Sequence, residues 1–250
     1  MNGFKVALSF LTCLPIPGGL RYSPEAEGQS LLWYPVVGLI VGLALLATAS
    51  VATQMLPALP VAAIVVVVWV ALTGALHLDG LADCADAWCG AHRSESQRAL
   101  TLTILKDPRC GAMAVVAIVL SLLLRFSLLT AVIDTGALGW LWVVPVFARA
   151  SILGLFMSTP YVSSEGIGSA LAQHFPSTQA TPVLMAVAAS ALLILPFGLF
   201  VAMALTMGGV FWWLRALMLK RLQGFTGDCA GALIEIMEIA LLLVLAIHAA

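Results

Sequence analysis

Charge is what this sequence has least of. Only 9% of its 250 residues are Asp, Glu, Lys or Arg, while 62% are hydrophobic, and the mean hydropathy is +1.09. Soluble domains carry about 25% charged residues, so that class is excluded. Cysteine is scarce too: Cys13, Cys84, Cys89, Cys110 and Cys229 are odd in number and lack the spacing of an extracellular disulfide framework. His77, Cys84, Cys89 and His92 match no common zinc spacing. There is no basic stripe and no nucleic-acid motif, which excludes a nucleic-acid partner. No internal repeat is evident.

What is present is long apolar runs. A helix of about 20 residues crosses the roughly 30 Å hydrocarbon core of a bilayer. Such runs predict spans near 31–53, 60–78, 110–133, 138–158 and 231–248, with two more from 182–222. Within that last stretch Pro196-Phe-Gly198 and Thr206 to Gly209 both offer breaks, and a turn between 200 and 209 is favoured. Residues 4–17 are too short to span and end in two prolines, so they read as an interfacial or re-entrant segment. Lys5 is the only basic residue before this run and no small-residue cleavage site precedes Pro15, so the N-terminus is expected to be retained. The expected fold class is all-α: a polytopic membrane helical bundle of about six or seven crossings, residues 1–250 forming one domain in the lipid bilayer.

Cytoplasmic loops are enriched in Lys and Arg. The links near 54–59, 134–137 and 204–209 contain neither, whereas Lys5, Arg21, Arg93, Arg98, Lys106, Arg109, Lys220 and Arg221 all fall on the opposite set. An even number of crossings between these loops places all eight in the cytoplasm, with four of the five cysteines.

The acidic residues are as uneven. Of twelve, five lie in 79–107 and three in 228–238. Asp79, Asp83 and Asp86 stand at i, i+4 and i+7 and share one helix face. Three like charges so placed repel unless a cation sits among them, which suggests a divalent-metal site. His77 opens the same segment. Residues 94–106 read as a surface helix with Ser94 as N-cap, leading into a turn that presents Lys106, Asp107 and Arg109. Two cations beside a carboxylate-bound metal make a phosphate clamp.

Further on, Gly227 and Asp228 precede Glu235 and Glu238, two glutamates inside the start of an apolar helix. Arg149 lies within the apolar stretch 143–157 and requires a buried carboxylate or a phosphate nearby. Arg125 and Arg215 are expected to snorkel toward an interface. Glu165 and His174 occupy a polar linker, 159–180, expected to be cytoplasmic and to act as a substrate lid.

Leu11-Thr-Cys-Leu-Pro-Ile-Pro17, Thr73-Gly-Ala-Leu-His-Leu-Asp-Gly-Leu-Ala-Asp83, Lys106-Asp-Pro-Arg-Cys-Gly111 and Thr226-Gly-Asp-Cys-Ala-Gly-Ala-Leu-Ile-Glu235 occur in an order and spacing that resembles the cobalamin synthase family, also called adenosylcobinamide-GDP ribazoletransferase. The resemblance runs from about residue 4 to the end. It implies a Mg2+-dependent enzyme of the bacterial inner membrane with its active site facing the cytoplasm. Its substrates would be adenosylcobinamide-GDP and α-ribazole or α-ribazole 5′-phosphate, and its products adenosylcobalamin or its 5′-phosphate, and GMP.

On that resemblance Asp79, Asp83 and Asp86 would hold Mg2+, and Lys106, Arg109 and Arg149 would bind phosphate oxygens. Asp228, Glu235 or Glu238 would orient the attacking hydroxyl, act as its base, or bind a second metal. Asp107 joins the catalytic set, and His77, Glu165 and Gly227 the substrate-binding set. Thr103, Ala114, Phe225 and Gln29 depart from the family pattern. Two other readings stay open: a membrane phosphotransferase of the CDP-alcohol type, whose usual aspartate run is absent, and an ion-coupled transporter. The number of subunits is open, a homo-oligomer included.

Overall fold

A computed structural model describes residues 2–16, 18, 23–91, 97–163 and 167–248. These form twelve α-helices: α1 (Asn2–Leu11), α2 (Pro24–Ser30), α3 (Tyr34–Ala52), α4 (Ala58–Thr73), α5 (Leu76–Gly90), α6 (Gln97–Ile104), α7 (Ala112–Asp134), α8 (Val143–Ser158), α9 (Ile167–Gln173), α10 (Ser177–Ile194), α11 (Phe197–Leu222) and α12 (Gly227–His248). No strand occurs among the described residues. Six helical segments are long and apolar enough to cross a membrane, and the pair α4–α5 raises the number to seven if it counts as one span. The chain is therefore the multi-pass helical bundle that its composition predicts.

Two boundaries differ from expectation. The span predicted at 60–78 stops at Thr73, where Gly74 and Ala75 both adopt left-handed conformations (φ 59° and 57°) and the chain turns by 88° into α5. Glycine accepts that conformation without penalty but alanine does not, so surrounding contacts must hold the bend. One is the hydrogen bond from Cys13 N–H to Leu72 O at 2.8 Å, made by the chain just after α1. The second correction concerns the favoured turn at 200–209. α11 runs straight through it, and the break falls at Leu195-Pro196. Pro196 has no N–H to give α10, and the residue before a proline is driven to extended backbone, as Leu195 is (φ −81°, ψ 147°).

α8 and α12 form the buried centre. The α8 segment Ala137–Ser158 is 72% buried over its most apolar window, against 11% for α10, which faces outward. α3 lies close on α8 because of two glycines. A Cβ added at Gly38 or Gly42 would come within 2.5 Å of the carbonyl oxygens of Pro145 or Trp142. Small residues allow this backbone approach in membrane bundles.

Counting α4 as a crossing, α1, α5, α6, the 159–163 linker, α9 and the α11–α12 turn share one end of the bundle. Every motif singled out in the sequence therefore meets at one face. Contacts tie that end together: Arg98 Nε donates to Leu222 O at 2.9 Å, and Val162 N–H to Phe225 O at 2.9 Å.

Candidate active site

The site is built where α5 crosses α12. A Cβ at Gly80 would lie 2.8 Å from Asp228 O, and one at Gly231 would lie 3.3 Å from the His77 Cα. Only two glycines at the crossing let the helices approach this far. The approach brings the start of α5, with Asp79, against the start of α12, with Asp228. Cys84 and Cys229 meet one step along the same seam, their sulfurs 3.9 Å apart. Thr226 organises the α12 start: its Oγ1 accepts from Cys229 N–H at 3.4 Å and donates to Asp228 Oδ2 at 3.2 Å.

A cavity of about 820 Å³ opens over this crossing. His77, Asp79, Lys106, Thr226, Gly227 and Asp228 supply its polar lining, and Phe10, Leu11, Ile152 and Phe156 much of its apolar wall. Leu102 and Leu105 bring the 97–105 segment to its wall, although Ser94, the expected N-cap, lies outside the described residues. His77 is only 3% exposed, and its Nε2 has no partner among the described residues.

Asp83, Asp86, Asp107 and Arg109 line a second cleft of about 370 Å³ instead. Asp83 there faces the charges of Asp79, Asp228 and Asp86. Asp86 is also tied to the backbone. Its carboxylate accepts from Gly111 N–H at 2.6 Å and Ala114 N–H at 2.9 Å, capping α7, whose own N-cap residue is a glycine without a side chain. Arg109 pairs with Asp107. Its Nε and Nη2 donate to Asp107 at 2.9 and 2.5 Å, and this guanidinium pulls the Asp107 carboxyl down to about 2.

Arg149, Glu235 and Glu238 line neither cavity. Arg149 is fully buried, and the partner its burial demands is Glu238, whose Oε1 accepts from Nη1 at 2.7 Å. Arg125, expected to snorkel, is only 2% exposed. Its Nη2 donates to Glu235 at 2.5 Å and to Glu238 at 2.8 Å, with its guanidinium 4.3 Å above the Trp69 ring. Two Arg and two Glu balance in charge and join α4, α7, α8 and α12 within the apolar bundle. Arg215, also expected to snorkel, is partly buried and donates from Nε to Thr159 Oγ1 at 3.0 Å.

Described parts of the 159–180 linker reach the cavity. Tyr161, Ser163, Gly168 and Leu171 line it, while His174 is exposed and its backbone packs against Gly28 of α2. Glu165 lies outside the described residues. Tyr161 is the site residue that sequence reasoning missed. It is anchored by a parallel bridge to Phe225 and packs edge-on against that ring, with 5.2 Å between centroids. Its signal was its rarity, as one of three tyrosines, set in a polar linker.

With this geometry in hand, residues 3–246 match the family model for cobalamin-5-phosphate synthase. The chain belongs to that family. An adenosylcobinamide-GDP ribazoletransferase of Pseudomonas syringae pv. syringae is 48% identical over 247 residues, covering 99% of this chain and 100% of that protein. One of Pseudomonas entomophila is 50% identical over 248 residues, covering 99% of each. No solved structure matches the chain.

A member of this family prompts the question of a metal. No group of three His, Cys, Asp or Glu arranged to hold an ion occurs among the described residues. Asp79 and Asp228 nevertheless offer hard oxygens on one cavity, and Asp79 adds like-charge repulsion at Asp228. Mg2+ is commonly held by one or two carboxylates together with substrate phosphate oxygens and water. The donor set fits that pattern.

Proposed function

We propose that this chain transfers the adenosylcobinamide phosphate moiety of adenosylcobinamide-GDP to α-ribazole or α-ribazole 5′-phosphate, releasing GMP, on the cytoplasmic face of a bacterial inner membrane. The names of its full-length relatives support the reaction. The site-level observation that carries the reading is the convergence of Asp79, Asp228 and Lys106 on one cavity. Two carboxylates and a cation suit a bound pyrophosphate, which needs its charge neutralised and its phosphorus held in line. The absence of Lys and Arg from the links at the other end supports the orientation.

Asp79 and Asp228 would hold Mg2+. When bound, the ion would neutralise pyrophosphate charge and stabilise the leaving GMP. Lys106 would take up charge on a non-bridging oxygen as the bond to GMP breaks. Glu235 and Glu238 are committed to Arg125 and Arg149, which leaves Asp228 and His77 as the groups to orient the attacking 3′-hydroxyl and accept its proton. Tyr161, Phe156 and Phe225 form an aromatic wall suited to the flat base of the ribazole. The leucines of the 97–105 segment would limit water, so that the nucleoside and not water attacks.

The test is direct. Protein in lipid, given adenosylcobinamide-GDP, α-ribazole 5′-phosphate and Mg2+, is expected to release GMP and form the corrinoid product in equal amounts. Removal of the metal with EDTA is expected to stop both, and added Mg2+ to restore them. GMP without corrinoid product would make the chain a pyrophosphatase, and turnover unaffected by EDTA would remove the metal from the reaction.

A further inference from the structure

Between α6 and the end of α11 lies another cleft of about 560 Å³. Arg98, Lys220 and Arg221 line it with Gln97, Gln223 and Leu102, and no carboxylate does among the described residues. Two of the cations are fixed by backbone: Arg98 Nε donates to Leu222 O at 2.9 Å, and Arg221 Nη1 to Trp88 O at 2.8 Å. Capping accounts for one donor of each, Arg98 at the C-terminus of α11 and Arg221 at that of α5. It leaves out Lys220, which lines the same hollow as Arg98.

A second feature is continuous with it. Leu205, Gly209, Trp213, Ala216 and Lys220 of α11 are all exposed, and their spacing of three or four residues draws one stripe along the helix. Leu205 is 72% exposed and Trp213 58%. The stripe is apolar until its last member. It therefore runs along the membrane-facing side of a spanning helix and ends on a cation at headgroup depth, beside Arg98.

We propose that this cleft binds the phosphate of an anionic phospholipid, whose acyl chains lie along the α11 stripe. Basic pockets at the end of a membrane span suit anionic headgroups, and Arg forks suit phosphate oxygens. The consequence reaches the active site through α6. Leu102 lines both the basic cleft and the catalytic cavity, so a headgroup held by Arg98 braces the helix that lines the site and leads to Lys106. Anionic lipid thus acts as a positioning ligand.

The experiment uses the full chain in nanodiscs of phosphatidylcholine, with or without phosphatidylglycerol. Native mass spectrometry counts the phosphatidylglycerol retained on wild type, on Lys220→Gln and on the Arg98→Gln/Lys220→Gln pair. Each lost cation is expected to weaken retention about five-fold. Phosphatidylglycerol is expected to raise turnover of wild type more than that of Lys220→Gln, with equal turnover of these two in pure phosphatidylcholine. Equal retention by all three proteins, or an equal response of turnover to phosphatidylglycerol, would overturn the proposal. Displacement of the lipid by inorganic phosphate, with the stimulation kept, would overturn the lipid assignment in favour of a soluble anion. Retention requires no turnover, so this test stands apart from the ribazole reaction.

Discussion

Asparagine is the informative replacement for Asp79 and Asp228, since it keeps shape and hydrogen bonding and removes only the charge. Each change relieves repulsion between the carboxylates, so neither is expected to lower the thermal midpoint in detergent. GMP release is expected to fall by about 100-fold or more, the scale of losing one electrostatic contact to a transferring group. Near-normal release by both variants would exclude these carboxylates from the reaction. The buried network predicts the opposite balance. Glu238→Gln leaves Arg149 and Arg125 underpaired in an apolar bundle, at a cost of about 3–5 kcal/mol, measured by denaturation in detergent. Asp86→Ala removes only the cap of α7 and is expected to cost about 1 kcal/mol. Sequence spacing placed Asp79, Asp83 and Asp86 on one face correctly but could not divide them. Asp79 lies at the crossing with α12, whereas Asp86, two turns on, meets the start of α7.

At the scale of elements, the crossing of α5 and α12 sets the distance between the two halves of the site. Gly231→Val would drive a branched side chain into the His77 backbone and separate the helices. Overpacking of this kind costs about 1–3 kcal/mol. A displacement of about 1 Å at the site costs about 100-fold in rate, so activity is expected to suffer more than stability. Gly231→Val measured for both GMP release and thermal midpoint decides it, and loss in proportion to unfolding would make the crossing merely structural. The same geometry explains Glu235 and Glu238. They share a face of α12 with Asp228, as their spacing predicts, but they lie about 10 and 15 Å further along it. At that depth only other helices are within reach, and Arg125 and Arg149 are what those helices present.

For the whole molecule, all five cysteines lie at the end of the bundle that carries the motifs, three of them exposed: Cys13, Cys89 and Cys110. A membrane-impermeant maleimide is expected to label these in inside-out vesicles and not in intact spheroplasts. Labelling in spheroplasts would reverse the orientation. Cys84 and Cys229, buried at the α5–α12 seam, are expected to stay unlabelled in both.

Hydropathy alone sufficed for the helical membrane bundle, because a chain with so few charges has no other means of satisfying its backbone in lipid. The asymmetry of Lys and Arg sufficed to group the motifs at one end, and their order along the chain to indicate the family. Side-chain partnership needed the tertiary structure. A buried Arg must find a carboxylate, but the choice of Glu238 depends on which helices pack together. Whether the chain turns at Pro196 or at 200–209 depended on hydrogen bonding at a single proline, and the bend at Gly74–Ala75 on contacts from distant residues. Which carboxylates share a cavity follows from how closely two glycines let their backbones approach, a distance no linear spacing encodes.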